Sequence, residues 1–325
     1  MNTPDAISAS TTQKRVYPLS FKGTGSAFFG ITIVNLLLSV ITLGLYYPWA
    51  KARTLQYLYG ATEFDSSRFE FHGTGKEMFK GFIKAIIIFT LIYAGLFAAI
   101  YFQQPIIGFV WFYLGLMLII PLAIHGSYKY RMSRTSWRGI RFGYRGNRKE
   151  FMLLFFKDLF FTIISLGIYG AWFSMNLRNY ILRNIRFGDA QFNYRGNGGE
   201  YFVLNIKGYF FTIFTLGIYM FWWQKNLFTY YIDRLSLHHD NNSIQFKSTA
   251  TGGDFFGLTV VNFLILVFSL GIAYPWVITR SLHFIFSKIE TTGDIDTDKL
   301  VQTENSFTDA TGEDLSDMLD LGFVI

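Results

Sequence analysis

The sequence predicts a mainly α, polytopic α-helical membrane protein built from repeated helical hairpins, with short cytoplasmic β-hairpins. Composition is the first indication, because the 325 residues are 51% hydrophobic, 20% aromatic and only 16% charged, whereas an average soluble domain is about 25% charged. The second is a motif, Leu-Gly-(Leu/Ile), three residues and Trp, that closes four long apolar runs and marks internal repeats. Its Gly and Trp residues are Gly44 and Trp49, Gly167 and Trp172, Gly217 and Trp222, and Gly271 and Trp276.

Alignment of the four motifs extends the pattern to five units, near residues 17–66, 67–135, 136–186, 187–240 and 241–289. Each unit opens with alternating aromatic and polar or basic residues that predict short strands, and a helix follows. An acidic residue in the first helical turn, such as Glu77 or Glu200, is expected to stabilise the helix N-terminus rather than to catalyse. The repeated transmembrane domain therefore covers residues 17–289. A disordered N-terminal tail (1–16) and an acidic, disordered C-terminal tail (290–325) are predicted to flank it.

The second unit lacks the motif and contains the two clearest membrane spans. Residues 81–102 and 106–124 are mostly apolar, and about 20 such residues suffice for a helix to cross the hydrocarbon core. Residues 1–20 are polar, so we expect no cleavable signal peptide. The chain has no cysteine, which excludes disulfides and thiolate chemistry.

Charge patterning bears on how the apolar runs meet the membrane. The first 289 residues hold 28 basic and 12 acidic residues, whereas the last 36 hold one basic and ten acidic residues. Basic residues that flank spans usually face the cytoplasm. Six single crossings would place arginine-rich connections on both sides of one span. The favoured alternative makes each motif the turn of a re-entrant hairpin beside one crossing hairpin, so that only the uncharged loop 103–105 lies outside. Both topologies stay open.

Polar residues recur at fixed distances from the motif, four residues after each Trp and near the ninth residue before each Gly. One hypothesis is that they face a common polar cavity, because ionisable residues at membrane depth usually mark a pathway or a binding site. The alternative is that the arginines reach lipid phosphates, Lys157 pairs with Asp158, and the asparagines hold helices together. The candidate cavity residues are Asn35, Arg53, Lys157, Asp158, Asn176, Lys207, Asn226, Asn262 and Arg280.

Two function hypotheses follow. The first is transport or channel activity through that cavity, and the second is a non-transport membrane scaffold or anionic-lipid-binding protein. We expect no enzyme, cofactor or metal site, since no catalytic set is visible and His238-His239-Asp240 lacks a further ligand. The expected partners are anionic membrane lipids and not nucleic acid. A homo-oligomer is compatible with both hypotheses. The acidic tail is expected either to bind the basic cytoplasmic face or a partner, or to stay unstructured.

The chain resembles the YjgN-like family of bacterial inner-membrane proteins, a domain family of unknown function, over about residues 17 to 288. The resemblance implies a multi-pass protein of the bacterial inner (cytoplasmic) membrane, and it brings no activity and no site residues. The residues that carry it are Phe21-Lys22-Gly23-Thr24-Gly25, Asn35, Thr42-Leu43-Gly44-Leu45-Tyr46-Tyr47-Pro48-Trp49-Ala50-Lys51-Ala52-Arg53 and Phe71-His72-Gly73-Thr74-Gly75.

Overall fold

The fold alternates pairs of helices with pairs of strands. The computed structural model describes residues 15–303, which form ten α-helices, eleven strands and one short 3-10 helix (Thr297–Lys299). The helices are α1 (Gly25–Ile41), α2 (Tyr47–Gly60), α3 (Gly75–Tyr101), α4 (Pro105–Ser133), α5 (Arg148–Ile164), α6 (Gly170–Arg183), α7 (Gly198–Phe214), α8 (Met220–Ile232), α9 (Gly252–Phe268) and α10 (Tyr274–Ser287). We call α3–α4 the long pair, and α1–α2, α5–α6, α7–α8 and α9–α10 the first, third, fourth and fifth short pairs.

The strands form one antiparallel sheet of eleven members rather than separate hairpins, in the order β1-β11-β10-β9-β8-β7-β6-β5-β4-β3-β2. They are β1 (Arg15–Val16), β2 (Leu19–Phe21), β3 (Thr62–Phe64), β4 (Ser67–Phe71), β5 (Thr135–Trp137), β6 (Ile140–Tyr144), β7 (Ile185–Phe187), β8 (Ala190–Tyr194), β9 (Leu235–His239), β10 (Asn242–Ser248) and β11 (Ile289–Gly293).

The two ends of the sheet meet at one short segment. β1 pairs with β11 and β2 pairs with β3, and only Tyr17 and Pro18 separate β1 from β2. The Tyr17 N–H donates to the Thr291 carbonyl at 2.9 Å, and the Thr291 hydroxyl donates back to the Tyr17 carbonyl. The sheet therefore curves round until its edges are joined through residues 15–21.

The predicted fold class is wrong. A mainly α, polytopic helical protein with isolated β-hairpins does not describe an eleven-stranded sheet. Moreover, only α3 and α4 among the described residues are long and apolar enough to cross a membrane. The physical reason is that an isolated two-stranded hairpin leaves backbone N–H and C=O groups unpaired along both edges. Each hairpin here satisfies them by pairing with the next hairpin, and local periodicity does not reveal that long-range pairing.

Aromatic and aliphatic side chains fill the concave side of the sheet, which contains the largest core cluster. Trp137, Phe142, Phe187 and Ile244 are buried there, and the Trp137 indole N–H donates to the Phe64 carbonyl at 3.1 Å. Strand alternation places these apolar residues on one face, so that the opposite face is polar. The sheet thus has its own core, independent of any membrane.

Residues 290–303, which the sequence assigns to the disordered tail, contribute a strand and several buried side chains to the sheet. Residues 289–293 form β11, and Ile295, Thr297 and Leu300 are buried against the sheet. The Tyr17 hydroxyl donates to the Ile295 carbonyl at 2.5 Å, and burial raises the pKa of Tyr17 above its ordinary value. Arg15 and Val16 likewise belong to β1. The rest of the two predicted tails, residues 1–14 and 304–325, lies outside the described residues.

Each pair begins at a capped helix. The cap side chains accept a hydrogen bond from the first helical turn, and Thr74–Glu77 and Thr251–Asp254 form complete capping boxes. The expectation that these acidic residues stabilise the helix start is confirmed for Glu77 and Asp254. The five N-cap residues are Thr24, Thr74, Asn147, Asn197 and Thr251.

Candidate functional site

In three of the four short pairs, the second helix is hydrogen-bonded to the base of its own pair by a tyrosine eight positions after the motif Trp. In the first pair, the Tyr57 hydroxyl accepts from the Thr24 N–H at 2.8 Å and donates to the Thr24 carbonyl at 2.9 Å. Tyr180 bridges Asn147 and Tyr230 bridges Asn197 in the same way. These tyrosines therefore close the bases of three hairpins, and their role is structural.

The motif tryptophans form the seams between neighbouring pairs. Trp49 packs on Gly75, at the start of the next pair, with its ring 5.0 Å from that of Phe79. A Cβ at the glycine would collide with the indole, which explains why glycine is required there. The equivalent seams are Trp172 on Gly198, Trp222 on Gly252 and Trp276 on Gly25.

The last seam returns to the beginning of the chain. Trp276 in α10 packs against Phe29 in α1 with ring centroids 5.0 Å apart, and His283 donates to the Gly23 carbonyl at 2.8 Å. Helices α10 and α1 are therefore neighbours, as α2 and α3 or α6 and α7 are. The helix pairs surround a common axis, as the sheet below them does.

The candidate cavity residues are distributed over the four short pairs. Several of them contact the facing helix of their own pair. The Asn35 amide donates to the Ala50 carbonyl at 3.1 Å, and Arg53 is exposed. Asn176 donates to Asp158 at 2.8 Å. Lys157 lies 3.5 Å from the other carboxylate oxygen, a distance that allows charge attraction but only a poor hydrogen bond.

The fifth pair repeats this arrangement with different residues, whereas the fourth pair does not. Arg280 donates to the Asn262 carbonyl oxygen at 3.2 Å, and Asn262 donates to the Ser281 hydroxyl at 3.0 Å. In the fourth pair, Lys207 and Asn226 line an open cleft between α7 and α8. The polar contacts of the first, third and fifth pairs, and the cleft of the fourth, each lie within a single pair.

The turns between paired helices have one backbone conformation. In each short pair the motif Leu occupies the left-handed region with φ of 50° or 51°, and the following Gly donates to the carbonyl five residues earlier at 2.7–2.8 Å. This is the Schellman arrangement that ends many helices, where Gly or Asn usually occupies the left-handed position. The four leucines are at least 90% exposed, and they are Leu43, Leu166, Leu216 and Leu270.

The long pair makes the same turn with a polar residue. Gln103 has φ of 59°, and the Gln104 N–H donates to the Ala99 carbonyl at 2.8 Å. Around this turn, Tyr101, Phe102 and Ile106 are exposed. The sequence drew attention to the motif Gly and Trp, and it missed the left-handed leucine. The exposure of this leucine, and the equivalence of its position to that of Gln103, become visible only when the turn geometry is known.

Basic residues surround the opposite end of the helices, where strands enter them. The residue two positions before each N-cap is basic in four units, and its N–H always donates to the carbonyl just after the second helix, at 2.7–3.2 Å. All four side chains are exposed. They are Lys22, His72, Arg145 and Arg195, and we call the three that are always charged, Lys22, Arg145 and Arg195, the cation ring. Among residues 15–303, no three His, Asp or Glu side chains are placed to hold a metal ion.

Fold and sequence together define a bacterial membrane protein with a sheet at one end of its helix pairs. The chain belongs to the family described as "Bacterial protein of unknown function (DUF898)", whose model matches residues 16–195 and 223–318. The resemblance drawn from the motifs is thereby confirmed, whereas multi-pass topology is not tested by it.

Three curated relatives support a location in the inner membrane. Inner membrane protein YjgN of Escherichia coli (strain K12) is 34% identical over 147 residues, which are 45% of this chain and 36% of the relative. Inner membrane protein YjgN of Salmonella typhimurium is 34% identical over 129 residues, which are 40% and 31% of the two chains. The match therefore spans about a third of the curated relatives' length. No solved structure matches the chain.

Proposed function

We propose that this protein is a lipid-binding scaffold of the inner membrane. In this proposal the long pair crosses the bilayer, the four short pairs enter it only partway from the cytoplasmic side, and the cation ring contacts anionic headgroups. The proposal rests above all on the residue at the left-handed turn position. That residue is an exposed Leu in every short pair and an exposed Gln in the long pair.

The energetic argument concerns the choice of Leu. A non-glycine residue in the left-handed conformation costs about 1–2 kcal/mol, and an exposed Leu in water gains nothing in return. In hydrocarbon the same side chain is favourable, and Gln is unfavourable. Leucine at four tips and glutamine at the fifth therefore support four tips within the membrane and one in water beyond it.

Helix lengths support the same topology. The first helix of each short pair has 17 residues and is thus about 26 Å long, less than the ~30 Å of the hydrocarbon core. Helices α3 and α4 have 27 and 29 residues, or about 40 Å each, which is enough to cross. Tyr101 and Phe102 then fall near the far headgroups, where aromatic residues are favoured.

The transport hypothesis needs the candidate cavity residues to share one polar space. Asp158 and Asn176 contact each other, as Asn262 and Arg280 do, and each contact lies inside a different pair. This placement does not favour a common pathway. The alternative role as a membrane scaffold that binds anionic lipid agrees better with a basic ring at the base of the helices, since each cation near an anionic surface adds about 1 kcal/mol.

The cation ring can be tested by charge reversal. In the double variant Lys22→Glu/Arg195→Glu we expect the purified protein to retain less phosphatidylglycerol in native mass spectrometry, by about tenfold or more, because two attractive charges become repulsive. The matched control is Arg68→Glu/Lys299→Glu, which makes the same charge change at exposed residues of the opposite, strand-turn end. Equal lipid retention by the two double variants would contradict the proposal.

A further inference from the structure

The fourth pair contains a cleft of about 580 Å³ between α7 and α8. Glu200 and Arg234 form an ion pair at its base, and Val203 and Leu204 provide an apolar wall. Further along the helices the cleft is lined by Lys207, Tyr219, Trp223 and Asn226. Lys207 lies nine residues after the start of α7, or about 14 Å from the helix base, well separated from the cation ring.

The fourth pair lacks a polar side chain that joins the two helices in the other short pairs. The position nine residues before the turn Gly is Asn35, Asp158 or Asn262 in the other short pairs, and each of these side chains binds the facing helix. In the fourth pair the position is Gly208. The Trp223 ring lies directly over it, where a Cβ would collide. The polar contact between the two helices is therefore missing in this pair.

Two polar side chains in the cleft have no partner. Lys207 and Asn226 make no hydrogen bond or ion pair with any residue in the part of the chain that the structure describes, 15–303. The Trp223 indole N–H also lacks a partner, but it is buried against Gly208 and is not accessible from the cleft. The carboxylate in the lining, Glu200, is already paired with Arg234. The cleft thus combines one uncompensated positive charge with one neutral amide donor.

We propose that this cleft binds a phosphate group, with the Lys207 ammonium as the charge partner and the Asn226 amide as a neutral donor. A phosphate offers several acceptor oxygens to donors on two different helices, and lysine binds phosphate as a point charge. The apolar wall suits a phosphate carried on an acyl chain, so an anionic lipid is one source and a soluble phosphate ester is the other. Only the lipid source rests on the proposed membrane insertion.

The third pair provides a matched comparison within the same chain. Lys157 and Asn176 occupy the positions of Lys207 and Asn226, but Asp158 stands where Gly208 does. Asp158 is fully buried, accepts from Asn176 and lies beside Lys157. Its carboxylate already fills the role that we assign to the phosphate. The third pair should therefore not bind phosphate.

The test uses the full chain, purified in detergent, as wild type, Lys207→Gln, Asn226→Leu and the control Lys157→Gln. Each protein is titrated with phosphatidylglycerol, with phosphatidylcholine and with sodium phosphate. Native mass spectrometry is the readout for lipid, and calorimetry is the readout for phosphate. We expect Lys207→Gln to weaken binding by about tenfold or more, because it removes a charge-assisted hydrogen bond. Asn226→Leu should weaken it less, and Lys157→Gln should leave it unchanged.

The outcomes separate the two sources. Lys207-dependent binding of phosphatidylglycerol, with no effect of sodium phosphate, supports a lipid headgroup. Lys207-dependent binding of sodium phosphate that competes with lipid supports a soluble phosphate ester. Equal binding by wild type, Lys207→Gln and Asn226→Leu overturns the site, as does an equal loss in Lys207→Gln and Lys157→Gln. If Lys22→Glu/Arg195→Glu has no effect while dependence on Lys207 persists, the proposed function fails and this site stands.

Discussion

The strand-turn end and the helix-tip end of the molecule both contain residues in the left-handed backbone conformation. Their side chains are polar at the first end and mostly apolar at the second. At the strand-turn end, the non-glycine residues with positive φ are Asp65, Ser66, Arg138 and Asp240. At the helix-tip end they are four exposed leucines and Gln103. Polar residues are what a tight turn in water normally selects. Turn geometry alone does not account for this difference, and under the proposed function it reflects hydrocarbon around the four leucines and water around the polar residues.

The long pair sharpens this comparison, because its tip is at the helix end and yet is polar. Gln103 shares its backbone conformation with Leu43 and its three counterparts, so geometry is held constant while the side chain changes. In the proposed topology, the longer helices carry their polar tip through the bilayer to water, whereas the shorter pairs keep their apolar tips within it. The predictions below address this contrast, in order of decreasing effect.

The largest expected effect is in chemical accessibility. The chain has no cysteine, so Gln103→Cys, Leu166→Cys and Leu216→Cys each introduce one thiol. In intact cells a membrane-impermeant maleimide should label Gln103→Cys fully and the two leucine positions hardly at all. Inverted vesicles should also leave the leucine positions unlabelled, since hydrocarbon excludes the reagent. Labelling of Leu166→Cys or Leu216→Cys from outside would instead mean that the short pairs cross the membrane.

A charge at a short tip should expel that hairpin. Aspartate in the middle of the hydrocarbon costs about 2.5–3.5 kcal/mol, so Leu166→Asp/Leu216→Asp should make the third and fourth pairs sensitive to protease added to inverted vesicles. Gln103→Asp is the control, because its tip is expected to lie in water. Comparable protease resistance of the double variant and wild type would place the short tips outside the hydrocarbon.

Relief of backbone strain should give a smaller effect of opposite sign. In detergent, Leu216→Gly is expected to raise the stability by about 1 kcal/mol, because glycine adopts positive φ without strain. Gln103→Gly should do the same, since its φ is similar. The control Leu45→Gly, at a partly exposed residue without positive φ, should bring no gain. Thermal melting of the purified variants provides the measurement, and destabilisation by Leu216→Gly would refute the strain argument.

The smallest effect concerns acid stability at the strand-turn end. Asp189 accepts from the Val301 N–H at 3.1 Å and from His239 at 3.0 Å. Burial alone would raise the pKa of Asp189, but these hydrogen bonds hold it below the ordinary value of 3.8. A lowered pKa stabilises the fold above pH 3.8, and this contribution is lost as the pH falls through the lowered value.

Asp189→Asn should therefore lose less stability than wild type between pH 7 and pH 3, by under about 1 kcal/mol because the group is partly exposed. Asp240→Asn, at a turn residue that is 89% exposed, is the control and should behave as wild type. Melting curves at the two pH values measure the difference. A wild-type pH dependence in Asp189→Asn would show that the contact with residue 301 contributes nothing.

Several local features could be predicted because their causes lie within a few residues. The strand–helix boundaries follow from alternation and from caps such as Thr74 with Glu77. The two long spans follow from apolar length. Several of the candidate cavity residues, such as Asn176 and Asn262, contact the facing helix of their own pair. The spacing of these residues along the sequence cannot predict their partners. It does not tell whether Asp158 contacts Asn176 or a residue of another pair.

Sequence alone determined the apolar runs, the turn motif, the basic body and the family. Each depends on neighbouring residues or on composition. Only the tertiary structure decided that the strands join into one sheet, that Trp276 meets Gly25, and that Ile295, Thr297 and Leu300 are buried in the core. It also decided that an open cleft lies between α7 and α8. These features pair groups far apart in the chain, whose backbone hydrogen bonds and apolar surfaces find partners only when the whole ring of pairs is assembled.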